Sequence, residues 1–217
     1  LPLSYMRMSP EELDGRIADA RARLGDRLTV LGHHYQRDEI IKYADHRGDS
    51  FKLSQMAAAE REAKYVAFCG VHFMAETADI LTSDEQHIIL PNLAAGCSMA
   101  DMARSEDAED GWDDLMGVLV ASDEIIPITY MNSTAAIKAL CGRNNGIVCT
   151  SSNGGNAFDW AFSRGKRVLF LPDQHLGRNT AVKMGYSVED TVVWDPYQPL
   201  GGNTEEQLQK ATFILWK

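Results

Sequence analysis

Two stretches decide the fold: Leu28-Thr29-Val30-Leu31-Gly32-His33-His34-Tyr35-Gln36, and Ile125-Ile126-Pro127-Ile128-Thr129-Tyr130-Met131-Asn132-Ser133. In each, a short apolar run stops abruptly at side chains that donate and accept hydrogen bonds. Apolar runs of that length read as buried strands. Further runs of the same kind lie at 65–68, 87–90, 146–149, 167–171, 191–194 and 213–216, with helical patterns between them. The first helix is marked most clearly. Ser9-Pro10-Glu11-Glu12 supplies an N-cap serine, a proline at the first helical position and a glutamate at the third, and Gly25-Asp26 follows the last periodic residue. That pattern predicts a helix over 10–24. Strands alternating with helices imply parallel sheets covered by helices, an α/β fold.

The chain also repeats itself. The turn Gly48-Asp49-Ser50 is echoed by Cys149-Thr150-Ser151, an offset of 101 residues. Phe68-Cys69-Gly70 leading to Met74 is echoed by Phe170-Leu171-Pro172 leading to Leu176, an offset of 102. A near-constant offset implies two copies of one α/β unit. The strand Ile88-Ile89-Leu90-Pro91 then finds its counterpart in Ile214-Leu215-Trp216-Lys217, after an insertion over 199–209. The predicted domains are 1–101, which includes Cys97, and 102–217.

Composition narrows the function. With 45% apolar and 24% charged residues among 217, the chain is an ordinary globular protein, long enough to bury roughly 70% of its unfolded surface. A formal charge of −10 argues against nucleic acid or a membrane surface as partner, since both select a basic face. Six of the acidic residues lie together at 106–114, a run that reads as a solvated helix face or connector and a natural seam between the halves. The four cysteines, Cys69, Cys97, Cys141 and Cys149, form no CxxC pair, which excludes a disulfide scaffold and every short-spacing zinc site. A reducing, cytoplasmic setting is expected, with neither a membrane span nor a signal peptide.

Ligands of open parallel sheets sit beyond the carboxyl ends of the strands, where helix N-termini present free N–H groups. The polar residues just after the apolar runs are therefore the candidates: His33 and Tyr35, Ser50, Cys97, Tyr130 and Asn132, Ser151, and the Asp173-Gln174-His175 turn. Singly, each has a plainer explanation. Ser, Asn and Asp at such positions are more often helix caps, a lone His is more often solvated or satisfied, and a Cys is usually a small hydrophobe. Together they come from several strand ends that a doubly built α/β chain directs toward one cleft. No GxSxG, HExxH or GxxxxGK[ST] string is present, so serine-esterase, zinc-protease and nucleoside-triphosphatase chemistry has no anchor. Neutral hydroxyls, an amide and imidazole suit small carboxylates or phosphates.

Seven strings, in order, resemble the quinolinate synthase family from about residue 28 onward: Gly32-His33-His34-Tyr35-Gln36, Ala44-Asp45-His46-Arg47-Gly48-Asp49-Ser50, the stretch from Phe68-Cys69-Gly70 through Phe73-Met74-Ala75-Glu76-Thr77-Ala78, Ala95-Gly96-Cys97-Ser98-Met99-Ala100-Asp101, Tyr130-Met131-Asn132-Ser133, Cys149-Thr150-Ser151-Ser152-Asn153 and Leu171-Pro172-Asp173-Gln174-His175-Leu176-Gly177. The resemblance implies a transferase that condenses iminoaspartate with dihydroxyacetone phosphate, losing water and phosphate, to form quinolinate for NAD synthesis. An aspartate-oxidising enzyme would supply the iminoaspartate. It implies three pseudo-symmetric three-layer α/β/α domains with short parallel sheets, two of them present here, around a [4Fe-4S] cluster held by one cysteine per domain and leaving one iron open as Lewis acid. Carried over residue by residue, it makes Cys97 the first cluster ligand and Tyr35 and His33 the catalytic residues, with Tyr35 as the acid/base. His33, Ser50, Tyr130, Asn132 and Ser151 become substrate contacts, with Met131 contributing backbone.

The same resemblance places the second cluster cysteine soon after the strand at 213–216 and the third in a last domain that also supplies a His and a Glu. None of these is in the sequence, so the expectation is a chain that does not run the whole reaction alone and leaves apolar side chains exposed near 213–216. Cys69, Cys141 and Cys149 are expected to be buried free thiols. Two other readings stand beside this one: a metal-free phosphosugar enzyme using His33 and Tyr35, and a two-domain module that binds a dicarboxylate or phosphate metabolite.

Overall fold

The computed structural model describes residues 3–119 and 125–217, which divide into two compact units. The first comprises the chain up to Gly70 together with Thr77–Leu93; the second comprises Val71–Glu76 and Ala94–Lys217. In chain order the first carries α1 (Leu3–Met6), α2 (Pro10–Leu24), β1 (Leu28–His33), α3 (Asp38–Ile41), β2 (His46–Gly48), α4 (Ser50–Ala59), β3 (Tyr65–Cys69), the C-terminal half of α5 (His72–Leu81) and β4 (His87–Ile89). Its four strands form a parallel sheet in the order β2-β1-β3-β4. The capping box at Ser9 and Glu12 forms as the sequence implies, with Glu12 N–H donating to Ser9 Oγ at 3.2 Å and Ser9 N–H donating to the Glu12 carboxylate at 2.8 Å.

The second unit carries α6 (Ser105–Val118), β5 (Ile125–Tyr130), α7 (Ala135–Arg143), β6 (Ile147–Cys149), α8 (Gly154–Phe162), β7 (Arg167–Leu171), α9 (Gln174–Lys183), β8 (Thr191–Trp194), α10 (Glu205–Lys210) and β9 (Phe213–Trp216). Its parallel sheet runs β6-β5-β7-β9-β8. Successive strand residues point to opposite faces, and the core divides accordingly. Ile125, Leu169, Leu171, Ile214 and Trp216 pack with α6, α7 and α10, whereas Ile126, Ile128, Val168, Phe170, Phe213 and Leu215 pack with α8 and α9. Two helical layers thus enclose the sheet. On the second face Phe213 is ringed by Phe158, Phe162 and Tyr186 at centroid distances of 5.2, 5.5 and 4.9 Å. Each such side chain contributes about 1.5–3 kcal/mol when fully buried.

The two sheets share one wiring. His33 pairs with Gly48 and Leu31 with Phe68 in the first; Tyr130 pairs with Cys149 and Ile128 with Phe170 in the second. The backbone N–H of His34 donates to Gly48 O at 3.2 Å, and that of Met131 to Cys149 O at 2.8 Å. His33 and Tyr130 are therefore equivalent positions, and so are Ser50 and Ser151. The second sheet differs by one strand: β8 arises from the extra segment ahead of β9 and adds itself to the edge.

Four expectations need correction or refinement. The strand β2, with charged and polar residues and only three positions long, carries no apolar signal, and only its pairing with β1 makes it a strand. The acidic run is not a seam but the outer face of α6. Glu106, Glu109, Asp110, Asp113 and Asp114 are exposed, while Ala108, Gly111, Trp112 and Leu115 are buried. Gly111 permits this, since a Cβ there would lie 3.0 Å from the Trp194 indole nitrogen and 3.2 Å from the Trp216 ring. Residues 213–216 are buried rather than exposed, because β8 covers the open edge of β9 and helices cover both faces. Finally, residues 94–101 with Cys97 group with the second unit, not the first. Among the described residues no helix is long and apolar enough to cross a membrane.

Candidate active site

In the first unit the candidate residues stand at the carboxyl ends of β1 and β2. Ser50 opens α4 and is half-buried; Asp49 caps that helix by accepting from Lys52 N–H at 2.9 Å. His33 closes β1. Its ring stacks on His34 with centroids 4.4 Å apart, and the Tyr35 ring stands edge-on to both, at 4.7 and 4.4 Å. Tyr35 N–H donates to His33 Nδ1 at 3.4 Å, which puts the proton of a neutral ring on Nε2. Burial, reinforced by His34 alongside, holds His33 below the ordinary histidine value, with Asp49 pulling the other way. His33 is thus an uncharged donor. The His34 ring is anchored by its Nδ1, 3.0 Å from Gly48 O; a carbonyl can only accept, so Nδ1 carries the proton and Nε2 is left as an acceptor. Tyr35 is 84% exposed, so its phenol is available to a ligand.

In the second unit the equivalent strand ends carry Tyr130, Met131, Asn132 and Ser151. Tyr130 and Asn132 are half-buried, Met131 is buried and Ser151 is exposed. Both backbone groups of Met131 have partners within the protein: its N–H donates to Cys149 O at 2.8 Å, and its carbonyl accepts from Ser133 N–H at 2.9 Å. Only a second lone pair on that carbonyl remains for a ligand. Ser151 lies in a turn stitched by Thr150, whose N–H donates to Asn153 Oδ1 at 2.7 Å. The Cys97 loop reaches this site: Asn132 Nδ2 is 4.0 Å from Cys97 Sγ. The loop is held by Asp101 N–H donating to Cys97 O at 3.0 Å and by His72 N–H donating to Ala95 O at 2.8 Å. The structure thus brings His33 together with Tyr35 in one unit, and Cys97 together with Asn132 in the other. The Asp173 turn keeps its plainer role. Asp173 is buried and caps α9, accepting from His175 N–H at 2.6 Å.

Three residues of consequence escaped the sequence reading. His34 shares its string with His33 and shows no separate sign of function in sequence, and its anchoring to Gly48 depends on a strand pairing that sequence does not display. Glu76 sits in a string shared with the family but with no role attached to it, and Lys138 lies in a helical pattern with no local sign of function. Glu76 Oε2 accepts from Ala135 N–H at 2.9 Å, and Lys138 Nζ donates to Ser133 O.

All four cysteines are free thiols. Cys141 and Cys149 are buried, and burial pushes both up to about 12; Cys69, half-buried, is raised by the same cause. Metal ligation needs a thiolate, so these three suit structural roles. Among the described residues no group of three or more His, Cys, Asp or Glu side chains is placed to hold a metal ion. Cys97 offers one ligand where a cluster calls for several. The residues present do not by themselves fit a [4Fe-4S] cluster.

Residues 16–217 match the family described as Quinolinate synthetase A protein. Curated relatives named quinolinate synthase include one from Nocardioides sp., 62% identical over 209 residues that cover 93% of this chain and 53% of the relative. One from Acidobacterium capsulatum is 58% identical over 213 residues, covering 98% and 57%. One from Corynebacterium glutamicum is 56% identical over 216 residues, covering 100% and 55%. The chain spans about half the length of the curated relatives it matches. With the family matched from residue 16 to residue 217 and relatives this similar across nearly all of its length, the chain belongs to the quinolinate synthetase A family.

Proposed function

We propose that this chain carries part of the active site of a quinolinate synthase, an enzyme of NAD biosynthesis that condenses iminoaspartate with dihydroxyacetone phosphate and releases water and phosphate. The observation that carries the reading is the approach of Asn132 Nδ2 to Cys97 Sγ at 4.0 Å. It puts the residue assigned to a cluster beside one assigned to substrate, a juxtaposition for which a metal-free phosphosugar enzyme has no use. Cys97 is one ligand of the [4Fe-4S] cluster in this proposal, and the other ligands come from outside these 217 residues. The setting is cytoplasmic, and the iminoaspartate comes from an enzyme that oxidises aspartate.

Both substrates are anions, and the candidate residues bind anions without fixed cations. His33 Nε2–H donates to a carboxylate or phosphate oxygen, and remaining neutral it does so without competing for the proton being moved. Ser50 adds a hydroxyl at the first turn of α4, where free backbone N–H groups and the helix dipole favour negative charge. Tyr130, Asn132 and Ser151 do the corresponding work from the second sheet. Tyr35 transfers the proton at the condensing carbon, and the His33 and His34 rings against it hold its orientation.

The test uses the full-length protein, purified without oxygen, supplied with dihydroxyacetone phosphate and with iminoaspartate generated in place, and assayed for quinolinate. Tyr35→Phe should lower kcat about 10²- to 10⁴-fold while dicarboxylate affinity stays within about threefold. A wild-type protein that binds the dicarboxylate and forms no quinolinate overturns the reading in favour of a metabolite-binding module. Turnover unchanged in Tyr35→Phe removes Tyr35 from the chemistry.

A further inference from the structure

The string Phe73-Met74-Ala75-Glu76 is part of the family resemblance, yet the reaction above leaves it without a task. It forms the first turn of α5, which belongs to the second unit, and it touches that unit at three places around Asn132. Its neighbour His72 donates its backbone N–H to Ala95 O at 2.8 Å, two residues ahead of Cys97. Glu76 accepts from Ala135 N–H at 2.9 Å, three residues past Asn132. Phe73 places its ring 5.4 Å from the Lys138 ammonium, and that ammonium donates to the carbonyl of Ser133, the residue next to Asn132. Glu76 and Lys138 therefore grip the backbone on either side of Thr134, one at an N–H and the other at a carbonyl. Ser133 is fully buried, and its own hydroxyl donates to Tyr130 O at 2.8 Å, so the turn between β5 and α7 has little freedom besides this grip.

We propose that Glu76 and Lys138 are a positioning pair for Asn132, fixing the turn at residues 132–135 so that the Asn132 amide faces Cys97 and the substrate. The proposal rests on the reading of Asn132 as a substrate contact. The physical reason for a charged pair here is rigidity. A carbonyl held by an ammonium and an N–H held by a carboxylate are charge-assisted hydrogen bonds, roughly twice as strong as neutral ones, and here both charged groups are partly buried.

The pair has a measurable signature. Burial pulls Lys138 down to about 8, while the Glu76 carboxylate pulls it back up; the Cys141 thiol one turn along α7 stays protonated over this range. Other titratable or charged groups nearby are His72 on α5, 3.6 Å from Glu76, Cys97, 4.0 Å from Asn132 Nδ2, Cys149 on β6, Tyr130 on β5, and on α6 the exposed carboxylates, of which Glu109 pairs with Arg143 of α7. As the pH rises through 8 the ammonium loses its proton, and the charged grip on Ser133 is lost with it.

The direct readout is the side-chain carbonyl carbon of Asn132, followed by NMR in the 217-residue chain from pH 6.5 to 9.5 and assigned by its loss in Asn132→Asp. It should shift with a midpoint near 8. In Lys138→Met the shift should vanish; in Glu76→Gln, which keeps an acceptor for Ala135, the midpoint should fall by about one pH unit. In the full-length enzyme Lys138→Met should lower kcat/KM for the dicarboxylate about tenfold. A wild-type resonance that does not move, or one that moves equally in Lys138→Met, overturns the proposal. Should Lys138→Met not fold, an unchanged midpoint in Glu76→Gln does so alone. The two readings separate cleanly. Titration of Asn132 as described in a protein that makes no quinolinate upholds the positioning pair and removes Asn132 from that reaction. Quinolinate formation with rate and resonance unaffected by either substitution removes the pair and leaves the reaction.

Discussion

His33 shows how much chemistry one residue draws from its surroundings. On its own it would be half-protonated near neutral pH. Here burial and the adjacent His34 hold it neutral, and the Tyr35 N–H on Nδ1 selects the tautomer with its proton on Nε2. The unfolded chain binds this proton more readily than the folded one, so the folded state loses stability as the pH falls through the ordinary histidine value. Glutamine places its amide nitrogen where Nε2 stands, and asparagine reaches only as far as Nδ1. His33→Gln should therefore raise KM for the anionic substrates less than His33→Asn, for which a loss of about tenfold corresponds to one charge-assisted hydrogen bond. Steady-state kinetics at pH 7.5 compares them, and equal KM values in the two variants would show that Nε2 is not the donor.

At the scale of elements, the helices differ in how closely they approach the sheet. Gly177 lies where α9 crosses β7 and β9, and a Cβ there would come within 2.8 Å of both Phe170 and Leu215. Both neighbours are fully buried and have nowhere to move. Gly15, in the middle of α2, has nothing within 4 Å of its Cβ position. The same substitution should thus act in opposite senses. Gly177→Ala should cost about 1–3 kcal/mol through overpacking, while Gly15→Ala should add about 0.5–1 kcal/mol through helix propensity and a less free unfolded chain. Urea denaturation of both variants measures this, and the same sign of change in both would refute the packing account. α6 teaches a related lesson, since its acidic residues obscure a helix whose other face holds Trp112 and Leu115 in the core.

For the molecule as a whole, stability should be graded across each sheet. β5, β7 and β9 are interior strands with nearly every residue buried, whereas β4 is an edge strand with two of its three residues exposed. Hydrogen exchange should find the slowest amides in β5, β7 and β9, opening only with the unfolding of the second unit, and much faster exchange in β4. Amides of β4 exchanging as slowly as those of β7 would contradict this ordering. The formal charge of −10 does not oppose binding of anionic metabolites, because five of the six carboxylates of the acidic run face solvent on α6 and long-range fields are screened within about 10 Å at 0.1 M salt.

The sequence by itself determined the α/β class, the repeated unit, eight of the strands and the polar residues at their ends. Each of these is a local signal: an apolar run, a cap, a fixed offset between similar strings. Helix α2 could be read from Ser9, Pro10 and Glu12 alone, because its capping bonds join residues three apart. Tertiary structure alone decided that His46–Gly48 is a strand, that β8 closes the edge of β9, that residues 94–101 belong with the second unit, and that Lys138 and Glu76 grip the turn bearing Asn132. Those outcomes depend on contacts between residues far apart in the chain, such as Glu76 with Ala135 and Asn132 with Cys97. Charged and polar side chains reveal nothing of such partners in sequence, since their surroundings are set by packing and burial, not by the residues beside them.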